Sequence, residues 1–254
     1  MPELDLGIRG RVARLTLNRP SARNALSPSL LRALVDACAS LRGDEEVRVV
    51  VLRGAAGTFS AGADLVGFMS ELGSSDPESV ADLGRRAAEA LAGLPQITVR
   101  GHRGPLRGRR RRPRRGVRPP LGYDRELLLH PRARAGIPLA WGGLERLVQL
   151  LGESVAADLV ITCRRFGVDE ALRYGLVSAV LDGALDEAVD ARIEAVASRA
   201  AGALRTTKRQ LSAIRAGDFD AAADAGALLA ALSDPESQRA AQDYIARRVR
   251  SKKS

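Results

Sequence analysis

Apolar and polar positions alternate along LDLGIRGRVARLTL, from Leu4 to Leu17, and the alternation breaks at Arg9-Gly10. That pattern predicts two short strands joined by a hairpin turn. The spacing then lengthens. In SPSLLRALVDACASLRGD, residues 27–44, apolar residues recur every three or four positions, as on one face of a helix. Ser27 suits the N-cap, and Pro28 sits just inside, where its missing N–H costs nothing. VRVVVLRG, from Val47, is a short β-branched run closing on glycine and reads as a buried strand. A turn of small residues follows, FSAGADL, residues 59–65. DPESVADLGRRAAEALAGLP then opens on acid and proline and continues with helical spacing. QITV begins another strand.

The pattern fails from Arg100 to about Ala135, where neither period is found. It returns at Gly136. GGLERLVQLLG, ESVAADLVIT and DEALRYG read as short helices and LVSAVL as a strand; from Leu185 onward nearly everything is helical. Ser233 stands three residues before Glu236, the spacing of a capping box for the last helix. Strands alternating with helices, then a helical tail, predict an α/β core over residues 1–184 and a helical C-terminal part over 185–254.

Charge changes the picture at one place only. The chain has 254 residues, 40 basic and 30 acidic, for a net charge of +10. RGHRGPLRGRRRRPRRGVRPP, Arg100 to Pro120, holds ten arginines and no acid. Without those ten the remainder carries 30 basic and 30 acidic residues, so the basic balance belongs to one segment. No apolar run has the length of a membrane span. The N-terminus carries early acids and no apolar core of a signal peptide. Two cysteines, Cys38 and Cys163, make no disulfide framework, which points to the cytoplasm.

From FSAGADL onward the chain resembles the enoyl-CoA hydratase/isomerase (crotonase) superfamily. NRPSARNALS, residues 18–27, resembles the family's early coenzyme A loop. GIPLAWGGLERLVQLLG, residues 136–152, is similar to its segment after the active site. CRRFGVDEALRYGLVSAVL, residues 163–181, resembles a long family signature, with Cys163 where glycine is usual. The likeness spans nearly the whole chain outside 100–135. It implies a ββα spiral core, an acyl-CoA thioester substrate with no separate cofactor, and a C-terminal part that assembles trimers or pairs of trimers. It implies a step that places negative charge on the thioester oxygen, stabilised by two backbone N–H groups. The first donor would be the amide of Ala63. Arg23, Ala25, Ala61, Gly62, Asp64 and Leu65 would line the coenzyme A site, Asp64 more as a helix N-terminal residue than as an acid. The family's second donor comes from a glycine turn after a strand such as ITV; that place falls at Gly108 and Arg109. Its catalytic glutamate falls at Arg132.

The genetic code offers a source for the arginines. An arginine codon CGN read one base later begins with G and becomes Gly, Ala, Val, Asp or Glu. With permitted codons, RGHRGPLRGRRRRPRRGVRP slides to AAIEGPCVGGGVVLAAACDL and PRARA to PELAL, which joins onto GIPL without gain or loss of length. The first product is a strand, a glycine turn and an apolar helix of the family type. The second puts a glutamate in the place of Arg132. Two compensating single-base changes, near codons 100 and 135, would produce the chain as it stands. The slid frame places valine at position 112, where some hydratases carry a second acid, which favours a one-acid member. As written, ten charges cannot enter a core, since one unpaired buried charge costs several kcal/mol against a total stability of about 5–15 kcal/mol. Residues 100–135 are therefore expected to be looped out or disordered, and hydratase activity impaired.

Two rivals remain at this stage. One is a basic nucleic-acid-binding protein, although the stretch has no aromatic residue for stacking on bases and interrupts a fold instead of extending from a terminus. The other is a catalytically inactive structural member of the family. His102 and His130 lie in the anomalous segment with no assigned role. Cys38 and Cys163 are expected in the core, Glu145 at a solvated or capping position, and no acid spacing suggests a metal site.

Overall fold

A computed structural model describes residues 2–73, 76–100, 126–127, 136–178 and 185–251. The hairpin forms as its alternation predicts: β1 (Leu4–Arg9) pairs antiparallel with β2 (Val12–Leu17), and Gly10 takes the turn at φ +54°. β3 (Val49–Gly54) adds parallel to β2, and β4 (Ile97–Arg100) parallel to β3. The sheet order is β1-β2-β3-β4. β4 extends one residue into the arginine-rich stretch, because Arg100 pairs with Leu52.

Side chains of a strand alternate between faces, and each face of this sheet has its own cover. Ala13, Leu15 and Val50 point to α1 (Pro28–Arg42) and α3 (Pro77–Ala92). α1 contributes Leu31, Leu34, Cys38 and Leu41, α3 contributes Val80, Leu83 and Ala87, and these faces recur with the helical period. Val12, Val49 and Val51 point the other way, onto Ile193 and Ala197 of α7 (Leu185–Ala197). Ser27 caps α1 by accepting the Leu30 N–H at 3.1 Å, and Asp76 caps α3 through the Ser79 N–H. Between them runs a short helix, α2 (Leu65–Glu71).

After the arginine-rich stretch, β5 (Glu126–Leu127) pairs antiparallel with β6 (Phe166–Gly167), a strand that the periodicity of that stretch does not predict. α4 (Gly143–Leu151), α5 (Glu153–Thr162) and α6 (Val168–Arg173) follow the predicted helices. Leu159, Phe166 and Ala171 form a second small core there. LVSAVL is not a strand where it is described: Leu176 to Ser178 form bends after the turn that closes α6. Cys163 ends α5 at φ +49°, a left-handed position, which explains why glycine suits that place.

α8 (Ala201–Ala216), α9 (Asp224–Ser233) and α10 (Pro235–Ser251) complete the chain. The expected capping box on α10 is corrected. Asp234 caps it through the Ser237 N–H at 2.7 Å, while Ser233 turns back to the Leu229 carbonyl. Glu236 leaves its own helix end to accept the Ala201 N–H at 2.9 Å and to meet the buried Arg48 guanidinium at 2.6 Å. Arg48 also donates to the Arg199 carbonyl, so one ion pair ties α8 and α10 to the start of β3. Among the described residues no helix is long and apolar enough to cross a membrane, and no cluster of side chains could hold a metal ion. The expected exclusion of residues 100–135 from the core falls, apart from Arg100, Glu126 and Leu127, outside the described residues.

Candidate active site

The site grows from two loops that hold each other. After β2 the chain turns at Pro20–Ala22, and Arg23 and Asn24 both adopt left-handed backbone, at φ +55° and +56°. Asparagine tolerates that region better than most residues. Asn24 is fully buried and fully used. Its side-chain oxygen accepts the Arg19 N–H at 2.9 Å, and its amide donates to the carbonyls of Ala55 and Thr58 at 2.9 and 2.6 Å. The partner loop folds back on the end of β3 because Gly54 has no side chain; a Cβ there would collide with the backbone of Thr58 and Phe59.

The second loop, Phe59–Leu65, docks on the first by backbone bonds. Ala61 N–H donates to the Arg23 carbonyl at 3.0 Å, Leu26 N–H to Gly62 at 2.8 Å, and Asp64 N–H to Leu26 at 3.0 Å. Leu26 and Ala63 thereby form a parallel bridge. Gly62 stands at φ +94°, where a side chain is strained, and its N–H goes to Ser60 Oγ at 3.0 Å. Of the four consecutive amides from Ala61 to Asp64, only that of Ala63 has no acceptor among the described residues. The bridge turns it away from Leu26, toward the side where Ala63 is half-exposed.

Electrostatics lock the turn. Asp64 caps α2 by accepting the Gly67 N–H at 3.1 Å and receives Arg19 Nη1 at 2.9 Å. The Gly67 bond first, and Arg19 with it, hold the Asp64 carboxyl below the usual range, so it stays ionised at neutral pH. That fits the capping position that Asp64 holds at the start of α2. Arg19 reaches further, to Glu3 at 2.8 Å and the Ala25 carbonyl at 2.7 Å. At the end of β4, the Arg100 guanidinium lies 4.1 Å from the centre of the Phe59 ring, so the first arginine of the unusual stretch covers this loop.

The structure thus brings together Arg23, Ala25, Ala61, Gly62, Ala63, Asp64 and Leu65. Arg23 acts here through its carbonyl, and its exposed side chain remains available. Gly108, Arg109 and Arg132 lie outside the described residues. Arg19 and Asn24 are the residues that sequence reasoning passed over. Both stood inside the quoted NRPSARNALS, and an asparagine beside the tight small-residue loop was the available signal. Cys38 is core, its thiol pushed up to about 11 by burial, and is no nucleophile. Glu145 is exposed and accepts Gln149, as expected of a solvated residue.

The sequence profile described as Enoyl-CoA hydratase/isomerase matches residues 7–95, which contain both loops. A Thermus thermophilus protein named "Putative enoyl-CoA hydratase" is 34% identical over 216 residues, covering 81% of this chain and 82% of that protein. The chain belongs to the enoyl-CoA hydratase/isomerase family. A short-chain-enoyl-CoA hydratase of Clostridium acetobutylicum is 31% identical over 180 residues, 68% of this chain and 66% of the relative. Among solved structures, a member of the enoyl-CoA hydratase/isomerase family aligns over 97% of this chain and 96% of its own, with 26% identity and a TM-score of 0.81. The crotonase-like α/β fold expected from the motifs, with its helical C-terminal part, is therefore the fold of this chain.

Proposed function

We propose that the chain binds acyl-CoA thioesters, with the thioester oxygen on the amide of Ala63, and that its hydratase or isomerase turnover is impaired. The observation that carries this reading is the Ala63 N–H, which has no acceptor among the described residues while its neighbours on both sides are bonded. A preorganised donor of that kind stabilises the oxyanion of an enolate or tetrahedral species without reorganising during the reaction. Coenzyme A enters as part of the substrate, and no further cofactor is required. Impairment follows from the arginines at the family's places for the second donor (Arg109) and the catalytic glutamate (Arg132). A frame slip between codons 100 and 135 accounts for both, and DNA sequencing of that interval tests it.

The chemistry is tested by following hydration of a short-chain 2-enoyl-CoA beside the Thermus thermophilus relative. Binding without turnover, or turnover at least tenfold slower, is expected; a rate within tenfold overturns the impairment. Titration with saturated butanoyl-CoA tests the site itself.

One observation favours homo-oligomerisation. α9 exposes Leu228, Leu229 and Leu232, and α10 exposes Tyr244 and Ile245, a concentration of apolar surface in the C-terminal helices. We read it as a surface between copies of this chain, in a trimer or a pair of trimers. Light scattering after size exclusion checks the mass, and a monomer counts against the reading.

A further inference from the structure

Trp141 is the chain's single tryptophan, and its backbone is strained. It stands at φ +64°, a left-handed conformation that bulky side chains rarely adopt and that persists only where surroundings enforce it. Its indole is aimed with care. Nε1 donates to the Ala81 carbonyl on α3 at 2.9 Å, and the ring centre lies 5.6 Å from that of Phe68 on α2, tilted by 40°. The ring lies against Gly84, where a Cβ would collide with it. A side chain arriving from after the arginine-rich stretch thus occupies the gap between α2 and α3, and α3 keeps a glycine to admit it.

That gap lies beside the helix that leaves the Ala63 turn: Asp64, next to Ala63, caps α2, and α2 carries the Phe68 ring that Trp141 meets. Ala63, Leu72 and Trp141 pack against one cluster with Phe68, Val80 and Leu83. The other side of the turn is occupied by polar and backbone partners, Arg23, Ser60 and Arg19. Phe68 stands in the first turn of α2, three residues after its start at Leu65. A hydrocarbon tail on a thioester held at Ala63 gains free energy only along an apolar wall, and this is the apolar wall that the turn adjoins.

We propose that Trp141 is a specificity-determining residue that closes the acyl path between α2 and α3 and restricts the site to short acyl groups. The proposal rests on the thioester reading of the Ala63 turn and adds the limit on chain length. The indole fills the space that further methylenes need, so affinity stops rising after a few carbons. A smaller residue reopens the space, and each methylene that enters should then tighten binding about fourfold, the value of a buried CH₂.

The experiment is titration of the full chain with butanoyl-, octanoyl- and dodecanoyl-CoA, followed by calorimetry. Saturated chains report binding whether or not the protein turns over. For the unmodified protein, octanoyl-CoA is expected to bind within threefold of butanoyl-CoA. In Trp141→Ala, octanoyl-CoA should bind at least tenfold tighter than butanoyl-CoA, with butanoyl-CoA itself little changed. Trp141→Phe keeps a ring in the gap and should keep the short-chain limit; should the alanine variant fail to fold, Trp141→Leu supplies the smaller side chain. Fluorescence of the unmodified protein adds a direct readout: butanoyl-CoA should shift the emission of Trp141 and free coenzyme A should not. The same chain-length dependence in the unmodified protein and both smaller variants overturns the plug while leaving the thioester site standing. Absence of butanoyl-CoA binding in every protein overturns the thioester reading, and the plug with it.

Discussion

The two loops that meet at Ala63 and the arginine-rich run that begins at Arg100 follow successive strands of one sheet, and their chemistry is opposite. In the first region the polar groups that hold the loops are paired: Arg19 with Glu3 and Asp64, and Asn24 with the carbonyls of Ala55 and Thr58. In the second, ten arginines occur within 21 residues with no acid among them. On the proposed reading the site needs two donors and a carboxylate, and it can lose its function through either region. The contrast locates the expected defect in the second.

The sharpest way to break that comparison is to replace residues 100–135 by their slid-frame reading. One missing oxyanion donor costs about 100- to 1,000-fold in rate, and the slid frame supplies both a glycine turn and a glutamate. Hydration of a short-chain enoyl-CoA should rise by at least about 100-fold. A change under threefold would mean that the arginine-rich run is not where activity is lost.

Next in size is Asn24→Ala, which attacks the first region. It leaves the Ala55 and Thr58 carbonyls without their donor, and alanine fits φ +56° less well than asparagine. The expected loss is about 3 kcal/mol of stability, read by denaturant unfolding. Butanoyl-CoA affinity should fall with it, because the loop that presents Ala63 loses its anchor. Unchanged binding would show that the backbone bridge of Leu26 and Ala63 suffices alone.

Much of this was legible in the chain. The strands and helices through Thr98, apart from the short α2, follow from period and caps, because each of them carries its own apolar face. What failed was not local. Ser233 and Glu236 have the spacing of a capping box, yet Glu236 goes to Arg48 and Ala201, since a buried guanidinium outcompetes a helix's own first turn for a carboxylate. LVSAVL has the composition of a strand, but Leu176 and Val177 pack against the Leu159 cluster from the bends after α6. Asn24 carried no periodic signal at all; its role depends on the carbonyls of Ala55 and Thr58, in a loop that folds back tightly at Gly54. The Ala63 donor came from resemblance; the structure adds that, among the described residues, its amide alone of the four from Ala61 to Asp64 has no acceptor.

The third test concerns the C-terminal helices and their hold on the sheet. Burial pushes the Glu236 carboxyl up, but the Ala201 N–H and the Arg48 guanidinium outweigh it and hold the group below its usual range. A carboxyl with a lowered folded-state value contributes stability in full above its unfolded value, near 4.3, and loses it as pH falls through the folded one. Asp64 has the same sign. Thermal stability should therefore decline on acidification from about pH 4.5 downward. Glu236→Gln should cost about 2 kcal/mol at neutral pH, discounted because Glu236 is partly open to solvent. It should also flatten the acid limb of the profile. An unaltered limb would place the acid sensitivity elsewhere, with Asp64 the next carboxyl to test.

The smallest effect returns to the junction of the two regions. Arg100 is the one member of the arginine-rich run with a described contact in the first region, through its guanidinium over Phe59. The residue is exposed, and a cation over a ring at such a site is worth about 0.5–1 kcal/mol. Arg100→Ala should therefore lower stability by no more than about 1 kcal/mol. Arg100→Lys should fall between, since lysine keeps the charge and loses the flat face. The informative result is the comparison with the remaining arginines. If Arg100→Ala changes unfolding measurably while a variant neutralising Arg109 to Arg112 does not, the two regions divide immediately after β4. Equal effects would mean that the run contributes to the folded core well beyond its first residue, and the boundary between the two chemistries would have to move past position 112.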